Sequence, residues 1–127
     1  MRQSLILIVE DDAPTRELLA MALRDDGYAV EVAADGTAAL ALLARVRPDL
    51  VLLDLLMAGL DGRAVARAYR ETPGPHAPIL LTSTTPEPGP TAAEIGAVGY
   101  LTKPFDLDDL LEHVRAAIEA TPSADKG

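Results

Sequence analysis

Acidic, hydroxyl and amine side chains stand in this sequence where apolar runs end. "LILIVEDD" carries Leu5 to Val9 straight into Glu10, Asp11 and Asp12, "LVLLD" closes on Asp54, "ILLTST" closes on Thr82, Ser83 and Thr84, and "YLTKPF" sets Lys103 just past a short apolar stretch. Like charges held a few ångströms apart in a partly desolvated place ionise together only if a cation or a hydrogen-bond donor compensates them. Hard oxygens from Glu10, Asp11 and Asp54 suit Mg2+, which takes few carboxylates, keeps several waters and leaves room for phosphate oxygens. A carboxylate is also a nucleophile toward phosphorus, giving an aspartyl phosphate. An ammonium such as Lys103 and a neighbouring hydroxyl would then balance charge on the phosphoryl oxygens. Taken singly, the acidic run is a solvated turn, Asp54 a turn cap, Lys103 a surface lysine and Tyr100 a core filler. The chemistry exists only if the fold brings them together.

The elements between these residues alternate regularly. Leu5 to Val9 is predicted as a buried strand. Pro14 then opens a helix with Leu18, Leu19, Ala22 and Leu23 at helical spacing, and Gly27 ends it. "YAVEVA" is a short strand, and "DGTAALALLARVRPD" a helix that stops before Pro48, since a residue preceding proline is pushed out of helical geometry. Leu50 to Leu53 is a strand, "GRAVARAYRE" a helix burying Val65 and Tyr69, and "ILLT" a strand after the "TPGPHAP" break. Pro86, Pro88 and Pro90 delay a shortened helix to Thr91–Ala97, and Tyr100 and Leu101 make a last strand. Asp106 caps a final helix with Leu107, Leu110, Leu111, Val114 and Ile118 on its apolar stripe. Strict alternation of strand and helix with right-handed crossovers predicts an α/β, doubly wound parallel sheet. Ligands of such sheets bind beyond the carboxyl ends of the strands, where all the residues above are expected.

Bulk composition narrows the function classes. The 127 residues and 49% hydrophobic content suit one domain with a real core. Twenty Asp and Glu against 11 Lys and Arg give a formal charge of -9, which opposes unassisted binding to nucleic acid or to an anionic membrane. Cysteine is absent, which removes disulfide and thiolate-metal chemistry. With no signal-peptide pattern and no apolar run of spanning length, a cytoplasmic location is expected. His76 and His113 have no ligand-like spacing, and Asp108, Asp109 and Glu112 read as the solvated face of the last helix.

In order and spacing, "LILIVEDD", "PDLVLLDLLMAGLDG", "PILLTS" and "GAVGYLTKPF" closely resemble the receiver domain of bacterial two-component response regulators, of the chemotaxis-regulator type. The resemblance implies one flavodoxin-like domain over residues 1–120, with five parallel strands in the order 2-1-3-4-5 flanked by five helices, and a polar tail at 121–127. It implies that Asp54 is the phosphoacceptor and that Glu10, Asp11, Asp54 and the backbone carbonyl of Leu56 hold Mg2+. Lys103 resembles the lysine that pairs with the phosphoryl group, Ser83 the switch hydroxyl five residues past Pro78, and Tyr100 the aromatic switch. The Lys103–Pro104 bond is often cis in this family. The chain departs from the pattern at Ala58, where proline is usual, and in the "PEPGP" run, where the fourth helix normally begins.

By resemblance, then, the chain is a phosphorylation-activated signalling switch and not an enzyme, apart from its own phosphoryl transfer and autodephosphorylation. A sensor histidine kinase or a histidine phosphotransfer protein would donate to Asp54, and the surface of the fourth helix, fifth strand and fifth helix would change to control an output partner, with a phosphorylation-dependent homodimer as one form. No direct nucleic-acid or membrane binding is expected. A standalone receiver is the first expectation. The alternatives are the N-terminal receiver of a DNA-binding transcriptional regulator and a phosphorylation-independent interaction module. A hydrolase with an aspartyl nucleophile is disfavoured, because "LLMA" after Asp54 lacks a second Asp two residues on.

Overall fold

The computed structural model describes residues 3–57, 61–85 and 88–120. Ala58, Pro86 and the expected tail at 121–127 lie outside the described residues. Ten elements alternate along the chain: β1 Leu5–Val9, α1 Ala13–Asp25, β2 Ala29–Ala33, α2 Gly36–Leu43, β3 Leu50–Asp54, α3 Gly62–Arg70, β4 Ile79–Ser83, α4 Gly89–Ile95, β5 Gly99–Thr102 and α5 Leu107–Ala120. The strands form one sheet in the order β2-β1-β3-β4-β5, and every pairing is parallel. The architecture is the doubly wound flavodoxin-like one expected.

Alternation along the strands divides the core into two layers. Leu7, Val9, Val51, Leu53 and Leu81 face one side with Val65, Tyr69 and Ile95 of α3 and α4. Ile6, Ile8, Leu52 and Leu80 face the other with Leu19, Leu23, Leu110 and Val114 of α1 and α5. Each such side chain contributes about 1.5–3 kcal/mol by leaving water. The continuous apolar strands thus fix β1 and β3 as inner neighbours, and that puts Glu10 and Asp54 at one edge.

Several details correct the sequence expectations. Leu18 is half exposed, because the inward stripe of α1 runs through Leu19, Ala20 and Leu23, a helical step away. α2 ends at Leu43, well before Pro48. The segment that follows must turn under the sheet so that Asp49 N–H reaches Leu5 O and the Asp49 carboxylate accepts from Leu5 N–H, both at 2.7 Å. α4 starts at Gly89, earlier than Thr91, because proline is tolerated in a first helical turn where its N–H would have no partner. β5 is longer than Tyr100 and Leu101, running over Gly99–Thr102. On α5, Ala117 is buried beside Leu110 and Val114, while Leu107, Leu111 and Ile118 are only partly covered.

Candidate functional site

β1, β3 and β4 end side by side. Val9 is in register with Leu53 and Asp54 with Thr82, so the residue after β1 and the last residue of β3 sit next to each other at the carboxyl edge. One carboxylate oxygen from each of Glu10, Asp11 and Asp54 lies within 4.8 Å of the other two. Glu10 is 2% exposed and Asp54 4%, whereas Asp11 is exposed to solvent. Lys103, the residue after β5, closes the group: its Nζ is 2.6 Å from Glu10 Oε1 and 3.5 Å from Asp54 Oδ2. The Lys103 main chain is anchored as well, its N–H donating to Ser83 O at 2.7 Å, and the Lys103–Pro104 peptide bond is cis.

The electrostatics follow from this crowding. Burial first, and then the charge of Glu10, push the Asp54 carboxyl from 3.8 up to about 6, against the opposing pull of the Lys103 ammonium and a hydrogen bond from Leu56 N–H. Burial also works against the Lys103 charge, but the hydrogen bond to Glu10 and the charges of Asp54 and Glu10 outweigh it and hold its pKa above 10.5. One ammonium therefore balances part of three carboxylates and leaves an anionic surplus that a hard divalent cation fits.

The remaining candidates are placed less centrally. Ser83 is fully buried, and its Oγ accepts the Thr85 N–H at 2.9 Å. Leu56 sits just past Asp54 with its side chain half exposed. Tyr100 is also half exposed and lies against the start of α4, where a Cβ on Gly89 would be 3.5 Å from its Oη. Asp12 does not join the acidic group: its carboxylate caps α1 by accepting from Thr15 N–H, and these contacts with Thr15 hold its pKa below 3.8. Two supports escaped the sequence. Asp12 N–H donates to Glu10 Oε2 at 3.2 Å, and Arg16, one helical turn on, donates to the Glu10 carbonyl at 3.0 Å. A helix starting directly after an acidic pair was the available signal for both. His76 and His113 are exposed, each within hydrogen-bonding distance of a helix or turn carbonyl.

The profile of the response regulator receiver domain matches residues 6–115. The chain belongs to this receiver family. Among curated relatives, response regulator MprA of Mycobacterium sp. (strain KMS) is 44% identical over 124 residues, which is 96% of this receiver and 53% of the relative. MprA of Mycobacterium leprae (strain TN) is 43% identical over 122 residues, covering 94% and 53%. The receiver thus spans about half the length of the curated relatives it matches. Among solved structures, chemotaxis protein CheY4 of Vibrio cholerae superposes with a TM-score of 0.80 at 32% identity, covering 91% of this receiver and 99% of that chain. TrrA of Thermotoga maritima, solved with Mg(2+)-BeF, gives a TM-score of 0.81 at 32% identity over 91% and 99%. As a receiver the chain is a signalling domain of two-component systems. No helix among the described residues is long and apolar enough to cross a membrane.

Proposed function

We propose that this receiver is switched by phosphorylation of Asp54. The donor is the phosphohistidine of a sensor histidine kinase or phosphotransfer protein. An Asp54 carboxylate oxygen attacks phosphorus, the O–P bond forms as the N–P bond breaks, and the electron pair leaves with the imidazole nitrogen. The observation that carries this is the Glu10–Asp11–Asp54 cluster closed by Lys103. The donor set fits Mg2+, with Glu10, Asp11, Asp54 and the Leu56 carbonyl as its holders, and Mg2+ supplies charge neutralisation at the phosphoryl oxygens. Lys103 swings from Glu10 to a phosphoryl oxygen, a short step given its 3.5 Å distance to Asp54. Ser83 Oγ, which already accepts from Thr85 N–H, donates its proton to another. Tyr100 follows inward, and α4, β5 and α5 become the output surface. Slow hydrolysis of the aspartyl phosphate resets the domain.

A cytoplasmic setting accords with the histidine kinase as donor. The length of the MprA relatives favours a second output, in which the same receiver acts as one part of a longer, DNA-binding regulator instead of alone. Intact mass after incubation with Mg2+ and acetyl phosphate tests the chemistry. Wild type is expected to gain one phosphoryl group, and Asp54→Ala or omission of Mg2+ to abolish the gain. No gain with acetyl phosphate and none from a phosphorylated histidine kinase would replace this function with a phosphorylation-independent interaction module.

A further inference from the structure

α4 has little of its own to hold it. It spans seven residues, follows Pro88 with no side-chain cap, and places glycine and proline in a first turn that lacks an acidic residue. Helices this short do not persist alone in water. Ala92 and Ile95 anchor it to the core, and two arginines of α3 grip it from outside. Arg63, in the first turn of α3, donates through Nη2 to Thr91 Oγ1 at 3.0 Å, and Arg70, the last residue of α3, donates through Nη2 to Gly96 O at 3.1 Å. Gly96 closes α4 at φ 78°, and a side chain there would be strained and driven into the Arg70 guanidinium. One helix therefore holds the other near both ends.

The start of α3 rests on the acidic site. Gly62 N–H donates to Leu55 O at 2.9 Å, and a Cβ on Gly62 would fall 2.8 Å from both Asp54 O and Leu55 Cα. α3 thus begins on the main chain of Asp54 and ends at the cap of α4.

We infer that Arg63 and Arg70 are positioning residues through which α3 sets the resting place of α4, giving Asp54 a line to α4 that does not pass through Ser83 and Tyr100. The line to Asp54 rests on the phosphorylation reading above, whereas the tie itself does not. Contacts made only in the resting arrangement raise the cost of leaving it. Removing them populates the alternative arrangement, and by reciprocity modification of Asp54, which favours that alternative, becomes easier.

The test pairs amide hydrogen exchange over residues 91–96 in the unmodified chain with the rate of Mg2+-dependent labelling by acetyl phosphate. The variants are Arg63→Ala with Arg70→Ala, Thr91→Val alone, and Arg63→Lys with Arg70→Lys. In the double alanine variant, exchange over α4 is expected to quicken about tenfold while β1 and β3 keep their protection. Thr91→Val should give part of this, and the lysine pair should reverse most of it, since an ammonium still donates to the same oxygens. Labelling of Asp54 should quicken about threefold or more in the alanine variant, because the arrangement that accepts the phosphoryl group is then more populated, an effect that lost stability alone does not produce. Unchanged exchange over α4 overturns the tie. Faster exchange with an unchanged labelling rate overturns the line to Asp54. Absence of labelling in wild type sinks the phosphorylation reading and that line with it, and the exchange result still decides the tie.

Discussion

Asp54→Asn should make the metal-free protein more stable, and the gain should depend on pH. A carboxyl held at about 6 in the fold against 3.8 in the open chain costs the folded state about 3 kcal/mol once both forms are ionised. Asp11 and the partly exposed Lys103 admit water, so screening reduces this to about 1–2 kcal/mol. The sign follows from the raised value. The contribution of Asp54 is favourable and complete below pH 3.8 and is lost as pH rises through about 6. Thermal melts in chelator at pH 8 should place Asp54→Asn several degrees above wild type, at roughly 3–5 °C per kcal/mol for a chain of this size. By pH 5 a little under half of that gap should have closed, because most of the wild type then carries the proton that relieves the crowding. Added Mg2+ should raise wild type and leave the variant nearly unmoved, since only a state that binds the ion gains from it. A variant no more stable than wild type at pH 8, or a gap constant from pH 5 to pH 8, would refute the claim that Asp54 is destabilised by burial and by Glu10.

Lys103→Met should cost about 2–4 kcal/mol in urea unfolding at pH 7, because it strands the buried Glu10 carboxylate, and adding Glu10→Gln should recover most of the loss. The Lys103 contribution is complete below pH 10.5 and should fade only above that, as its raised pKa is passed. Gly62→Ala should lower the melting temperature by about 5–10 °C and slow phosphoryl labelling, since its Cβ meets backbone at 2.8 Å that cannot give way cheaply. Leu110→Ala, which empties a fully buried site between α5 and the sheet, should cost about 2–5 kcal/mol in urea unfolding without altering Mg2+ affinity.

The centre of the sheet was readable because β1, β3 and β4 are short apolar runs that end in polar residues, as at Val9–Glu10 and Leu53–Asp54. That same change of character marked the site, and the structure brings Glu10, Asp11, Asp54 and Lys103 together. Helix ends were harder to read. α2 ends where the chain must turn toward Asp49 and Leu5, a demand set by residues distant in sequence. Leu18 misled because it is apolar like Leu19 but lies about 100° round the helix, on the side away from the buried stripe of Leu19, Ala20 and Leu23. Asp12 resembles its acidic neighbours until the start of α1 claims it as a cap. The hold of Arg63 and Arg70 on α4 left no local signature at all, since it joins residues 28 and 26 apart through exposed side chains.

The contact of Gly62 with the Asp54 main chain has a mechanical consequence. With no side chain to act as a cushion, α3 is hinged directly on the strand end that carries Asp54. Its nine residues make a rod about 13 Å long at about 1.5 Å per residue, so a tilt of about 5° at Gly62 moves Arg70 by about 1 Å. A hydrogen bond of 3.1 Å does not survive being stretched that far. α3 is a lever whose short arm rests on the acidic site, and its length turns a displacement too small to break anything at Asp54 into one large enough to release α4.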